Sequence, residues 1–355
     1  MKKPVLAALL SVKSYILSDF EKKLFEKYNP MGVVLLNRNI SSLQQVCNLI
    51  KSIKDAIGRE DVIIALDEEG GRVNPLKYAG FGDYVSQNIL GQVDDVDITC
   101  LHAKLIAQDM KKIGANFTFA PVLDINYPSI TVALKNRSFG LDTKKIVKHA
   151  KVLCDTYICE GICPCIKHIP GHGRAVSDPH ADMPIISDSI ETLETDFYPF
   201  KQLNYMPAAM SAHILLSQID AKNPVTLSEK AISEIIRKKI GFDGLLISDA
   251  LDMHALKGTI IQKAEGAWNA GCDVVCYSGA YEDEMEQLCK TGKLIEGKSA
   301  QRYEEVRKII NFKKDIITLD KEQKRYYTAT SMYTEEFISY DADKVLRQLK
   351  GEKKC

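Results

Sequence analysis

Eight short apolar runs recur along this chain, and a polar residue follows each one. They cover residues 5–10 ahead of Ser11, 32–36 ahead of Asn37, 62–66 ahead of Asp67, and 116–122 ahead of Asp124. The other four cover 161–166 ahead of Lys167 and His168, 208–210 ahead of Ser211 and His213, 245–247 ahead of Ser248 and Asp249, and 273–276 ahead of Tyr277 and Ser278. Near-continuous apolar strands mark a parallel sheet covered on both faces. The segments between most of them carry helical periodicity. In 41–57, Ser41 or Ser42 serves as N-cap, and Leu43, Val46, Leu49, Ile50, Ile53 and Ile57 form one stripe. In 228–240, Ala231, Ile232, Ile235 and Ile236 point inward and Gly241 is the stop. Eight strand–helix units predict an α/β fold, a (β/α)8 TIM-like barrel. An open doubly wound sheet would carry a glycine-rich phosphate fingerprint after its first strand, and none is present.

The barrel gives the polar strand ends a meaning, because active sites on that fold lie at the C-terminal ends of the strands. Asp67, Asp124, Lys167, His168, His213 and Asp249 are expected to converge on one mouth. Residues 1–312 are expected to form a single catalytic domain, with 282–312 helical. Residues 313–355 are expected to be a C-terminal extension whose helices pack outside the barrel and whose end frays.

The bulk numbers narrow the partners. Lys+Arg and Asp+Glu both number 47 in the 355 residues, so the formal net charge is zero. That balance gives no sign of a nucleic-acid or anionic-membrane partner. The Met-Lys-Lys opening imitates a signal peptide, but Ser11, Lys13 and Ser14 interrupt the apolar run that follows it. No later stretch approaches the roughly 20 apolar residues that span a bilayer. Cys163, Cys165, Cys272 and Cys276 lie within or beside strand-like apolar runs and read as buried free thiols. Cys163 and Cys165 share a strand face, and no second close pair has metal-site spacing. These features predict a cytoplasmic protein, and a monomer is expected.

The densest chemistry lies in Lys167-His168-Ile169-Pro170-Gly171-His172-Gly173, followed by Asp178-Pro179-His180. A buried strand here delivers ionisable groups to a rim, and a glycine-rich loop then carries an Asp-x-His pair over it. Such groups are costly at a strand tip unless paired or used. Alone, His180 would read as a solvated loop histidine, His172 as a loop-shaping residue, and Lys167, His168, Asp67 and Arg137 as a structural ion-pair network. Asp249 would read as a brace pairing with Arg137 or Lys167.

Four ordered motifs shift those readings. Asp67-Glu68-Glu69-Gly70-Gly71-Arg72-Val73, Ala120–Asp124 with Asn136-Arg137-Ser138-Phe139-Gly140, the Lys167-to-His180 block, and Ser248-Asp249 with Met253 together resemble glycoside hydrolase family 3 in its β-N-acetylglucosaminidase branch. The likeness runs from about residue 32 to 278. It implies Asp249 as nucleophile of a retaining reaction, His180 as acid/base and Asp178 as the group orienting it. It also implies Asp67, Arg137, Lys167 and His168 as sugar-binding groups, with no cofactor and no metal. The implied substrate is a peptidoglycan-recycling fragment, N-acetylglucosaminyl-1,6-anhydromuramic acid with or without its peptide. Histidine's reference pKa of about 6.5 suits proton transfer near neutral pH. A neutral imidazole also spares Asp249 a second negative charge.

The sequence departs from the family at two places. Pro179 stands where a serine is more usual. Asn74-Pro75-Leu76 stands where a second arginine often contacts the sugar, with Lys77 as a possible substitute. Arg72 is expected to pair with Glu68 or Glu69, and Asp252 to be a helix-start carboxylate. Several alternatives stay open on the residues. One is a substrate-assisted mechanism served by Asp67-Glu68-Glu69. Another is a metal-dependent barrel hydrolase using His168, His172, His180, His213 and Asp249. A non-catalytic sugar-binding barrel and phosphorolysis in place of hydrolysis complete the set.

Overall fold

The computed structural model describes residues 3–336, 338 and 340–349. The expected frayed end, 350–355, lies outside the described residues. Eight parallel strands close into a barrel: β1 (Leu6–Ser11), β2 (Pro30–Leu35), β3 (Ile63–Leu66), β4 (Phe117–Thr118), β5 (Cys163–Ile169), β7 (Ala208–Ser211), β9 (Leu245–Ala250) and β10 (Val274–Tyr277). Each pairs with its neighbours in chain order, and β1 pairs with β10 to complete the ring. Two short strands, β6 (Ile185–Ile186) and β8 (Leu215–Leu216), form a parallel ribbon beyond the ends of β5 and β7.

Each of the eight apolar runs overlaps a barrel strand, and alternation along them divides the core in two. Ile63, Ala65, Cys163, Cys165, Leu245 and Ile247 belong to the barrel interior, whereas Ile64, Leu66, Ile166 and Leu246 pack outward under the helices. Both faces are apolar because both are covered. β4 is two residues long rather than the seven expected. Pro121 has no N–H to give the ladder, and only an isolated bridge from Val122 to Lys167 continues the pairing.

Helix α2 (Leu43–Ile57) starts at Ser42, whose hydroxyl accepts from the Gln45 N–H, and stops at Gly58 in the left-handed region. Such a cap contributes about 1 kcal/mol. The 228–240 segment forms a π-helix, Ala231–Ile240, ended by Gly241 at φ 80°. Glycine is required at Gly32, where an added Cβ would lie 2.2 Å from the Ile63 carbonyl oxygen and force β2 and β3 apart.

The helical stretch expected over 282–312 is two helices, α8 (Glu282–Thr291) and α9 (Gly297–Ile310). Between them Leu294 bridges to Leu6, and Ile295 N–H donates to the Val5 carbonyl, so the chain detours along the start of β1. Tyr303, Val306 and Ile310 of α9 join the interior cluster and close the barrel floor. Helix α10 (Asp320–Thr330) packs outside the barrel against α4 (Val96–Ile113) and α3 (Gln87–Val93). Beyond α10 the chain returns to the mouth, which a merely external extension would not do.

Candidate active site

A cavity of about 740 Å³ lies at the C-terminal ends of the strands. Val34, Phe119, Met210 and Cys276 give it an apolar floor, and Asp67, Arg137, Lys167, His168, His180 and Asp249 line it. The seven residues singled out from sequence therefore sit together: six face the cavity, and Asp178 is bonded to His180.

One side is an ion network. Lys167 lies near the C-terminal end of β5 with its side chain 1% exposed, and its Nζ lies 2.6 Å from both Asp67 Oδ1 and Glu69 Oε1. Arg137 grips Glu69 through two parallel bonds of 2.8 and 2.7 Å. Burial pushes the Glu69 carboxyl up, but Arg137 and Lys167 outweigh it and hold the group far below the ordinary range. Two cations thus face two carboxylates, and only Asp67 is substantially open, at 35%. Gly70 and Gly71, at φ 81° and 60°, turn the chain sharply after Glu69. An added Cβ at Gly70 would meet the Val85 carbonyl at 2.2 Å.

On the other side Asp124, fully buried after β4, accepts from His168 Nδ1 at 2.7 Å and from the His172 N–H at 2.7 Å. This bond places the His168 proton on Nδ1 and leaves Nε2 for a ligand. Burial raises Asp124, and His168 and His172 more than reverse it. His172 itself is buried, and no hydrogen bond is found for its ring nitrogens among the described residues. Its contribution is the backbone N–H, in keeping with a loop-shaping part. His213 is buried, with Nδ1 2.8 Å from Thr226 Oγ1 and Nε2 3.1 Å from the Ala250 carbonyl.

Asp249, on β9, accepts from the Ala250 N–H at 2.8 Å and has no ion-pair partner among the described residues. The bracing pairs with Lys167 and Arg137 are absent because Asp67 and Glu69 take both cations. Burial pushes the Asp249 carboxyl up. The imidazoles of His213 and His168, the Ala250 N–H and His180 pull it down further, to about 2. It is an ionised, uncommitted carboxylate in a cavity. His180 lines the same cavity from the loop after β5, with Nδ1 2.8 Å from Asp178 Oδ1. That loop is tied to the segment after β9 by the Ala255 N–H on the Pro179 carbonyl at 3.1 Å.

Two expectations are corrected. Arg72 does not pair with Glu68 or Glu69. It donates to the Val132 and Ala133 carbonyls at 2.9 and 2.5 Å and lies over the Tyr340 ring. Glu69 is committed elsewhere, and Glu68 is turned into the core, where burial raises its carboxyl strongly. Asp252 starts no helix. It accepts from the Ser278 N–H and hydroxyl at 2.9 Å and ties the end of β10 to the segment after β9. Asn74 caps a short 3-10 turn, Pro75–Ala79, and Lys77 lines the cavity with its ammonium over Tyr78.

The sequence reading missed Glu69, Asp124 as the His168 anchor, and the rim after α10. Glu335, Glu336, Ile338, Tyr340, Ala342 and Leu346 line the cavity. Among the described residues, no three His, Cys, Asp or Glu side chains are grouped to hold a metal ion. No described helix is long and apolar enough to cross a membrane.

At one mouth of a closed parallel barrel stand a carboxylate without an ion-pair partner among the described residues, a histidine–carboxylate pair and a buried charged network, a set of groups that glycoside hydrolysis can use. Residues 6–311 match the model of the glycosyl hydrolase family 3 N terminal domain, and the chain belongs to that family. A β-hexosaminidase of Bordetella parapertussis is 32% identical over 80% of this chain and 84% of its own length. The crystal structure of NagZ from Neisseria gonorrhoeae in complex with N-trifluoroacetyl-D-glucosamine superposes with a TM-score of 0.78. It is 26% identical, covering 93% of this chain and 97% of that one. The β-N-acetylglucosaminidase of Thermotoga maritima gives a TM-score of 0.72 at 29% identity over 87% of this chain, which spans 67% of that enzyme.

Proposed function

We propose that this enzyme is a retaining exo-β-N-acetylglucosaminidase. It releases terminal non-reducing β-1,4-linked N-acetylglucosamine from peptidoglycan fragments such as N-acetylglucosaminyl-1,6-anhydromuramic acid, with or without peptide. The observation that carries the reading is Asp249, an ionised carboxylate with no salt-bridge partner among the described residues, in the same cavity as a histidine oriented by Asp178. The names of the Bordetella and Neisseria relatives support the sugar.

In the first step Asp249 attacks the anomeric carbon while the protonated His180 gives its Nε2 proton to the glycosidic oxygen. The carbon–oxygen bond to the aglycone breaks and a glycosyl ester forms on Asp249. In the second step the now neutral His180 takes a proton from water. That water attacks the anomeric carbon on the face the aglycone left, and the ester bond breaks. Two inversions return the β-anomer and both residues to their starting states. Lys167, Arg137, Asp67 and His168 grip ring hydroxyls and hold the sugar for attack.

The substrate-assisted alternative needs a free carboxylate pair beside the acetamido group. Asp67 and Glu69 are taken by Lys167 and Arg137, and Glu68 is buried away. A 5-fluoro-N-acetylglucosaminyl fluoride should leave one sugar mass on the peptide bearing Asp249. Turnover without any covalent label would sink the assignment. A chromogenic β-N-acetylglucosaminide should outrun the matching β-glucoside by orders of magnitude.

A further inference from the structure

The chain after α10 does more than cover the barrel wall. Resting on the acid/base reading of His180, we propose that Tyr340 is a positioning residue for that pair, reaching it from the C-terminal segment. Its hydroxyl donates to Asp178 Oδ2 at 2.6 Å, while Asp178 Oδ1 takes the His180 backbone N–H at 2.9 Å and Nδ1 at 2.8 Å. Both carboxylate oxygens are thereby engaged, and the plane of the carboxylate is set by two residues far apart in the chain. Tyr340 Oη also lies 2.9 Å from His180 Nδ1. A phenol has one proton, and with that proton on Oδ2 its lone pair faces the ring nitrogen. Both of its neighbours then require the imidazole proton on Nδ1. The nitrogen left for the glycosidic oxygen is Nε2.

Tyr340 is itself held. The Arg72 guanidinium lies 5.2 Å from its ring centroid, and Arg72 is fixed by the Val132 and Ala133 carbonyls. The His180 ring meets the Tyr340 ring edge-on at 5.9 Å. The segment is pinned upstream as well. Tyr326 is fully buried, and its hydroxyl joins the Val85 N–H and His102 Nδ1, each at 2.9 Å. Glu335 accepts from Ser86 at 2.7 Å and Asn88 at 3.2 Å, and Glu336 pairs with Lys135 at 2.7 Å. Leu346 is buried beyond it. Three anchors upstream and one downstream bracket the tyrosine, so its phenol is presented to the loop rather than trailing past it.

The electrostatics agree with the geometry. Burial pushes Asp178 up, and the bonds from His180 and Tyr340 bring it below the ordinary carboxylate range, so it stays the anion an imidazolium needs. Burial and Asp178 push the Tyr340 phenol well up, which keeps it a donor.

The test is Tyr340→Phe, which keeps the ring over Arg72 and removes the hydroxyl, beside His180→Ala and the wild type. Rates are compared on two aryl β-N-acetylglucosaminides: 2,4-dinitrophenyl, which departs without acid help, and 4-methylumbelliferyl, which needs it. Tyr340→Phe should lose about 5- to 20-fold in kcat/KM on the second, a fraction of the 10²–10⁴ that acid–base catalysis supplies. On the first, kcat/KM should stay within about 2-fold, while kcat and KM fall together because the second step lacks its full base. Equal losses on both leaving groups, or none, would overturn the tyrosine's part while His180→Ala still showed the leaving-group dependence. If His180→Ala kept wild-type rates on both substrates, the acid/base reading would fail and take this one with it.

Discussion

Glu69 offers the sharpest test of how the ion-network side of the site is built. Its side chain is 1% exposed, as is that of Lys167, and Arg137 is at 13%. Replacing Glu69 with Gln leaves Lys167 paired with Asp67, and Arg137 holding the Ala133 carbonyl with no carboxylate in contact among the described residues. Removing one partner of a buried ion pair costs about 3–5 kcal/mol. The double bond to Arg137 and the extra contact from Lys167 put this site toward the upper half of that range. The sign with pH follows from the group's titration. Its folded-state pKa is held far below the ordinary value by Arg137 and Lys167. Its stabilisation is therefore complete above the unfolded carboxyl's value near ~4.3 and is lost as pH falls toward the folded one. Urea midpoints of wild type and Glu69→Gln should differ by a constant amount from pH 8 to about pH 5. The gap should then narrow on acidification. A gap under about 1 kcal/mol at pH 7 would mean that the cations find water or other partners, and the network would be a solvated rim rather than a buried platform. A gap independent of pH down to pH 3 would refute the electrostatic origin even if its size were right.

Asp249→Asn should cut kcat by at least about 10³-fold with the fold intact by circular dichroism, since an amide is a poor nucleophile. Asp124→Asn should raise KM more than it lowers kcat, because His168 loses the bond that fixes its tautomer; matched kinetics on a chromogenic substrate would show it. Tyr326→Phe removes a buried hydroxyl that serves the Val85 N–H and His102 Nδ1, and should cost about 1–3 kcal/mol in a urea melt. Hydrolysis predicts that the transferred sugar appears only as free N-acetylglucosamine in phosphate buffer, and N-acetylglucosamine 1-phosphate detected by mass spectrometry would replace water with phosphate as the acceptor.

What could be read from the chain without coordinates was whatever local pattern encodes. Strands buried on both faces must be apolar throughout, so eight of them stand out. The residue after each strand is forced to a rim, so Asp67, Lys167, His168 and Asp249 could be placed at one mouth. Pairing was harder. Nothing in Asp67-Glu68-Glu69 says which acid meets the cations, because the Gly70-Gly71 turn decides it and local spacing does not show where that turn sends each side chain. Hence the pattern pairs Arg72 with Glu68 or Glu69, although Arg137 already holds Glu69 and Glu68 is buried, and it gives Asp252 a helix that the chain does not begin there.

The tail shows the same limit most plainly. Its composition is polar and lysine-bearing, with tyrosines at 326, 327, 333 and 340, and a surface helix explains such a texture well enough. What it cannot express is that Tyr340 lies 162 positions from Asp178 and still meets it. Contacts at that separation are fixed by the path of the backbone over the barrel rim, and one of the contacts along that path joins Tyr326 to His102, 224 positions away. A residue's chemistry is local, but its use is settled by what the closed barrel brings to the mouth. On the proposed reading the acid/base pair is a property of two chain segments, and a shortened C-terminus is expected to alter the kinetics of a site that keeps Asp249, Asp178 and His180 unchanged.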